Sequence, residues 1–164
     1  MDVVDWRMQN DGSWMFNPDE PGATPDRVLD STSLEEVYAA ADPSWTSSPR
    51  IGTVPVMWDR HHGTIVNNES REIVRMMTTS FAEAGLTNGR VLCPPNLREA
   101  IDAMIDANYE SVNNGVYKAG FARSQSAYDA AVDVLFGRLG ELEAHLEGRL
   151  WLVGDGQGVL TEAD

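Results

Sequence analysis

Lysine is almost missing from this 164-residue chain: Lys118 is the only one, and every other cation is an arginine. Cysteine is as scarce, with Cys93 alone. No stretch approaches the roughly 18 uninterrupted apolar residues of a membrane-spanning helix. The opening Met1-Asp2-Val3-Val4-Asp5 lacks the basic, apolar and small-residue order of a secretory signal. Each absence excludes something. A lone cysteine allows no internal disulfide, no Cys-x-x-Cys pair and no thiolate metal cluster. Twelve cations against 26 carboxylates leave a formal charge of -14, which argues against nucleic acid, because phosphate binding needs Lys and Arg to displace condensed counterions. An anionic membrane surface is disfavoured for the same reason, and a cytoplasmic setting is expected.

The charge that is present points to salt. Carboxylates hydrate strongly, whereas self-repulsion at -14 loosens a compact state unless it is screened over about 3 Å, as at molar ionic strength. A halophilic host with a salt-loaded cytoplasm is the simplest setting, and an ordinary acidic surface is the alternative. The apolar content of 42% suffices for a core, in one ordinary domain or two small ones.

The order of elements is mixed at first and then helical. Val3 and Val4 are strand candidates. The Gly-, Pro- and Asp-rich run from Asn10 to Pro25 carries Trp14 and Phe16, which a pure linker has no use for. Ser33 and Glu36 have capping-box spacing ahead of Leu34, Val37 and Tyr38, and Pro43 closes that helix. Thr53 to Trp58, the turn Asp59 to Gly63 and Thr64 to Val66 read as a hairpin, with Pro55 confined to its start or edge. Asn67 or Asn68 is positioned to cap one helix bearing Ile73, Met76, Met77, Phe81 and Ala84, and Asn88-Gly89 ends this half.

Beyond it, Pro95 and an Asn96 to Glu99 capping box predict a helix with Leu97, Ile101, Met104, Ile105 and Val112 on one face. Another begins near Ser124 and aligns Tyr128, Val132, Leu135, Leu139, Leu142 and Leu146. Both stripes are expected in a core. Thr161 and Asp164 have the spacing of an N-cap and its N3 partner, so a helix is expected to begin at this point.

Three strings are specific. Val54-Pro55-Val56-Met57-Trp58-Asp59, Thr64-Ile65-Val66-Asn67-Asn68-Glu69-Ser70 and Asn113-Asn114-Gly115-Val116-Tyr117-Lys118-Ala119-Gly120-Phe121 resemble signatures of the glutathionyl-hydroquinone reductases, an omega- and xi-like branch of the glutathione transferases. The resemblance runs along nearly the whole chain. It implies an α/β plus all-α architecture: a partial thioredoxin-like domain over 1–88, lacking its first strand and helix, then the start of the all-helical C-terminal domain over 89–164, both truncated. The absent first strand would leave two unpaired sheet edges, so the chain is expected to be an internal segment of a longer enzyme.

The chemistry of the expected site follows from residue types. If the Val54–Pro55 bond is cis, the N–H and C=O of Val54 face outward and can hold a peptide-like thiol as an added strand. Glu69 and Ser70 stand at a helix start, where a hydroxyl, exposed N–H groups and the dipole hold a carboxylate while Glu69 accepts from an ammonium. That suits the γ-glutamyl end of glutathione or γ-glutamylcysteine, and plain capping is the alternative. By resemblance, Trp14 flanks the thiol ligand and Arg50 contacts it. The Tyr117 hydroxyl would address a quinone or phenol oxygen, with packing as its alternative.

The resemblance further places the catalytic cysteine in a Cys-Pro-Trp-Ala segment that would precede Met1, and Cys93, between Leu92 and Pro94 at a helix entrance, does not match it. Its thiolate would attack the sulfur of a glutathionyl-hydroquinone, release the hydroquinone and leave a mixed disulfide for a second thiol to resolve. Binding without that catalysis is expected of these residues. The partners are then a small thiol and a quinone conjugate, with a homodimer possible. A non-catalytic relative that binds thiols or a partner protein is the other reading. His61 and His62, adjacent and so pointing to opposite faces, have no third ligand at suitable spacing and read as a solvated turn without metal.

Overall fold

The protein is described here by a computed structural model covering residues 7–8, 13–16, 24–47, 51–154 and 158–164. The strand candidates Val3 and Val4, and Arg50 of the expected thiol site, lie outside the described residues. Packing separates the chain into two compact units, Met1–Ile73 and Val74–Asp164.

In the first unit, β1 (Arg7–Met8) pairs antiparallel with β2 (Trp14–Met15). A bridge from Met15 to Ser33 and a bond from the Phe16 N–H to the Thr32 carbonyl (2.8 Å) continue this pairing and bury Phe16. Buried Asp26 shapes the next turn by accepting from the N–H groups of Val28, Leu29 and Ser31.

Helix α1 (Leu34–Ala41) starts as its sequence dictates. The Ser33 hydroxyl accepts from the Glu36 N–H, while the Glu36 carboxylate reaches back one residue further than expected, to the N–H and hydroxyl of Thr32. Leu34, Val37 and Tyr38 are its buried face, and it ends at Asp42, ahead of Pro43. A short 3₁₀ turn (Trp45–Ser47) returns Trp45 to stack on Tyr38, with ring centroids 4.3 Å apart.

The hairpin pairs β3 (Met57–Asp59) with β4 (Thr64–Asn67) and is irregular between Met57 and Trp58. Its ladder is shorter than the sequence suggested: Thr53 to Val56 lie outside it, and the Val54–Pro55 bond is cis. Gly63 closes the turn at φ +62°, where a side chain would be strained.

One expected helix is two. Helix α2 (Ser70–Thr78) breaks at Thr79, and α3 (Ser80–Glu83) is a single short turn. The cause is local. The Arg75 carbonyl accepts from the hydroxyls of both Thr78 and Thr79 as well as from the Thr79 N–H, and such back-bonding competes with helix continuation.

The second unit holds α4 (Arg98–Asn108), a π-helical turn (Tyr109–Asn113), α5 (Gly115–Gly120) and α6 (Gln125–His145). Helix α6 begins where the sequence indicated, near Ser124, whose hydroxyl caps it by accepting from the Ala127 N–H. The expected Asn96–Glu99 box is absent, because a turn closed by the Leu97 N–H and Pro94 carbonyl brings Leu97 in as N-cap with no side-chain cap bond. Ile101 is fully buried with Cys93 and Val153, and Leu97, Met104, Ile105 and Leu152 pack around them. The α6 stripe is only partly core: Leu135 is buried, whereas Tyr128 and Leu139 are exposed. Val112 falls in the π-helical turn rather than on α4.

Thr161 and Asp164 make the reciprocal contacts of a capping box. Asp164 Oδ2 accepts from the Thr161 N–H (2.9 Å) and hydroxyl (3.0 Å), while the Thr161 hydroxyl accepts from the Ala163 N–H. No described helix is long and apolar enough to cross a membrane.

Candidate functional site

Three side chains that carry no obvious chemistry in the sequence organise the first unit around Val54. The buried Tyr38 hydroxyl donates to the Thr53 carbonyl (2.8 Å) and accepts from Asn68 Nδ2 (3.1 Å), which also donates to Thr53 Oγ1 (3.0 Å). Thr53 is covalently next to Val54 and Asn68 to Glu69. The network therefore ties the two predicted thiol-binding segments to each other and to α1. Gly52 makes the approach possible, since a Cβ there would meet Leu34 and Tyr38 side-chain atoms at 3.1–3.2 Å. Among the described residues, neither backbone group of Val54 has a hydrogen-bond partner, so both remain open to an extended ligand.

The start of α2 is built from the adjacent segment. Asn67 rather than Asn68 supplies the local acceptor, with Oδ1 taking the Glu69 N–H (2.8 Å). Glu69 is the residue before the helix: its carbonyl accepts from the Ile73 N–H, and its Oε1 accepts from the Arg71 N–H (3.3 Å) and the Ser70 hydroxyl (3.4 Å). Both side-chain contacts use Oε1, leaving Oε2 without a partner among the described residues. Glu69 and Ser70 are exposed. One carboxylate oxygen, one hydroxyl and the helix N-terminus are thus together, the set needed to pair an ammonium with a carboxylate.

Trp14 sits half-buried in β2, opposite Met8. Tyr117 lies on α5 in the second unit. The string around it is helical from Gly115 to Gly120, and the Tyr117 ring is 63% exposed and parallel to that of Phe121.

Two further clusters have local explanations. Asp59 Oδ1 accepts from the N–H groups of His61 (2.7 Å) and His62 (3.0 Å), and Oδ2 pairs with the His62 ring at 2.6 Å. The His62 side-chain bond, then its backbone N–H, hold the Asp59 carboxyl down at about 2. Among the described residues, no group of three or more His, Cys, Asp or Glu is placed to hold a metal. Cys93 is buried, and burial followed by the nearby Glu162 charge pushes its thiol up from the ordinary range. That is opposite to what a reactive thiolate needs. The Glu162 side chain, 2% exposed, bonds Arg75 Nε and Nη2, and Arg75 Nη2 also bonds Asp102 Oδ1 (2.7 Å).

Comparison with known proteins agrees with this architecture. No protein-family model matches the chain. The glutathionyl-hydroquinone reductase YqjG of Escherichia coli K12 is 46% identical over 162 residues, which are 99% of this chain and 47% of the relative. PcpF of Sphingobium chlorophenolicum, also a glutathionyl-hydroquinone reductase, is 43% identical over 154 residues, 94% of this chain and 47% of the relative. The chain thus spans about half the length of the relatives it matches.

Among solved structures, the glutathione transferase Xi of Phanerochaete chrysosporium superposes with a TM-score of 0.85 at 44% identity, covering 98% of this chain and 53% of that one. The glutathione-bound structure of YqjG gives 0.80 at 45% identity, over 92% of this chain and 46% of that one. Sequence and fold, each matched over more than nine-tenths of this chain's residues, show that the chain is similar along nearly its whole length to glutathionyl-hydroquinone reductases and Xi-class glutathione transferases.

Proposed function

We propose that the chain is the ligand-reading segment of a glutathionyl-hydroquinone reductase, comprising part of a thioredoxin-like domain (1–88) and the start of the helical domain (89–164). The observation that carries this is the Tyr38–Thr53–Asn68 network, which holds the unpartnered backbone of Val54 beside the Glu69–Ser70 helix start. In this reading Val54 pairs with the cysteinyl backbone of the thiol. Glu69 Oε2 accepts its ammonium, and Ser70 with the first turn of α2 holds its α-carboxylate. Trp14 and Arg50 flank the same ligand, and the Tyr117 hydroxyl donates to the quinol oxygen.

The covalent step needs a thiolate that attacks the glutathionyl sulfur, expels the hydroquinone and forms a mixed disulfide, from which a second thiol releases the enzyme. Cys93, buried and with its thiol pushed up, is not that nucleophile. A Cys-Pro-Trp-Ala segment, which these residues do not contain, is the proposed source. The setting is a salt-loaded cytoplasm, and the assembly a homodimer. The chain should fail to reduce glutathionyl-menadiol at any pH, and Cys93→Ser should change nothing. Turnover that disappears in Cys93→Ser would overturn the assignment.

The thiol itself gives the direct test. The assigned contacts address only the γ-glutamyl and cysteinyl parts, so the glycine end is unread. Titration calorimetry in molar KCl should find γ-glutamylcysteine bound within about tenfold of glutathione, about 1.4 kcal/mol, and Glu69→Ala should weaken both equally. A much larger preference for glutathione, or a Glu69→Ala loss confined to one thiol, refutes the site.

A further inference from the structure

Helix α5 presents two faces with different employment. On one, Gly115 is buried, and a Cβ added there would lie 3.6 Å from Leu135 of α6. On the other, Val116 and Tyr117 are exposed, as is Phe121, the residue that caps the helix C-terminus, the two rings at 63% and 74%. The Phe121 N–H donates to the Tyr117 carbonyl (2.9 Å), which is the i, i+4 relation that sets side chains one above the other on a helix. The ring planes differ by 8° and the centroids are 6.3 Å apart, within the range where aromatic pairs fix each other's orientation.

The base of this pair is pinned. The two oxygens of the Glu110 carboxylate are divided between Asn114 Nδ2 (2.9 Å) and Lys118 Nζ (2.7 Å), and Lys118 also donates to the Glu110 carbonyl (3.2 Å). The Lys118 bond, then the Asn114 bond, hold the Glu110 carboxyl below its ordinary range. These contacts tie α5 to the π-helical turn before it, and π-helical turns recur at functional sites. Two parallel, water-exposed rings on a pinned helix form an apolar surface that solvent alone does not reward.

We propose that Phe121 is a specificity-determining residue for the aromatic half of the substrate, extending the Tyr117 ring into a two-ring surface that favours fused two-ring quinols over single-ring ones. This rests on the reading that Tyr117 addresses the quinol oxygen. Phe121 has no hydroxyl, so it contributes only its face. A single-ring quinol satisfied by Tyr117 leaves that face in water, whereas a second fused ring covers it. Tyr117 thereby sets affinity for the class, and Phe121 sets preference within it.

The test uses the 164-residue chain in molar KCl under argon, with 2-methyl-1,4-naphthoquinol and trimethyl-1,4-benzoquinol as probes and calorimetry as readout. Tyr117→Phe should weaken both quinols alike. Phe121→Ala should weaken the naphthoquinol about fivefold more than the benzoquinol, Phe121→Leu should recover less than half of that difference, and Phe121→Tyr should restore it. Glutathione affinity should stay at the parent value throughout, which separates this effect from damage to the fold. An equal change for both quinols in Phe121→Ala, or no change in either, overturns the proposal while the Tyr117 result sustains the reading beneath it. A parent chain that binds neither quinol overturns both.

Discussion

Replacing Tyr38 with phenylalanine isolates the tether that holds the proposed thiol site together. The ring stays, so its stack on Trp45 at 4.3 Å is kept. One oxygen is removed. With it go the bond to the Thr53 carbonyl and the acceptor for Asn68 Nδ2, which retains Thr53 Oγ1 as partner. A hydrogen bond is worth about 0.5–1.5 kcal/mol net. Thr53 and Asn68 are exposed, so water replaces part of the loss and the total should be about 1 kcal/mol. For a chain of this length that lowers Tm by about 2–4 °C.

The effect on binding should be separable from the effect on stability. Without the tether, the Val54 backbone and the Glu69–Ser70 helix start lose their common anchor, and the ligand must order them itself. Glutathione affinity should fall about threefold to tenfold, measured by calorimetry in molar KCl. Asn68→Ala should produce a similar fall, and the double variant should lose less than the sum, because the two act through one network. A lowered Tm with unchanged affinity would show that Tyr38 only supports the fold. Unchanged values of both would refute the network.

Three other perturbations test the rest of the molecule. Melting followed by circular dichroism should rise between low and molar KCl as self-repulsion at -14 is screened, and a flat profile would remove the halophile reading. Arg75→Met should destabilise by about 3 kcal/mol, since it strands a Glu162 side chain that is 2% exposed and has Oε2 unpartnered; an effect below ~1 kcal/mol in denaturant titration would contradict this. Asp59 should titrate near 2 by NMR. Its contribution, present above the ordinary carboxyl pKa, should be lost as pH falls through that lowered value, and His62→Ala should return it toward the ordinary range.

Legibility followed the distance over which each interaction acts. The Ser33 cap and the helix start near Ser124 were readable because the whole interaction fits within four residues. Glu69 and Ser70 were readable as a helix start for the same reason. The network beside them was not, since Asn68 reaches thirty residues back to Tyr38 and nothing local distinguishes it from Asn67. The break after Thr78 was local yet missed. Apolar periodicity continues through Phe81, and the decisive fact is two hydroxyls competing for one carbonyl. The Asn96 cap failed because the turn at Pro94 consumed the residues the pattern needed. The α6 stripe was correctly periodic, but period reports only which residues share a face, not whether anything covers it.

The salt reading and the ion pairs constrain one another. At molar ionic strength, screening acts over about 3 Å, so exposed pairs such as Arg138–Glu141, with the glutamate 69% exposed, retain little of their Coulomb energy. The Arg75–Glu162 pair is shielded by burial, so the 158–164 segment keeps its link to α2 at any salt concentration. Lys118 and Glu110 are both exposed, and their charge attraction should fade. The Asn114 and Glu110 carbonyl legs do not depend on screening of two opposite charges, so α5 stays pinned where a lone surface salt bridge would let it drift.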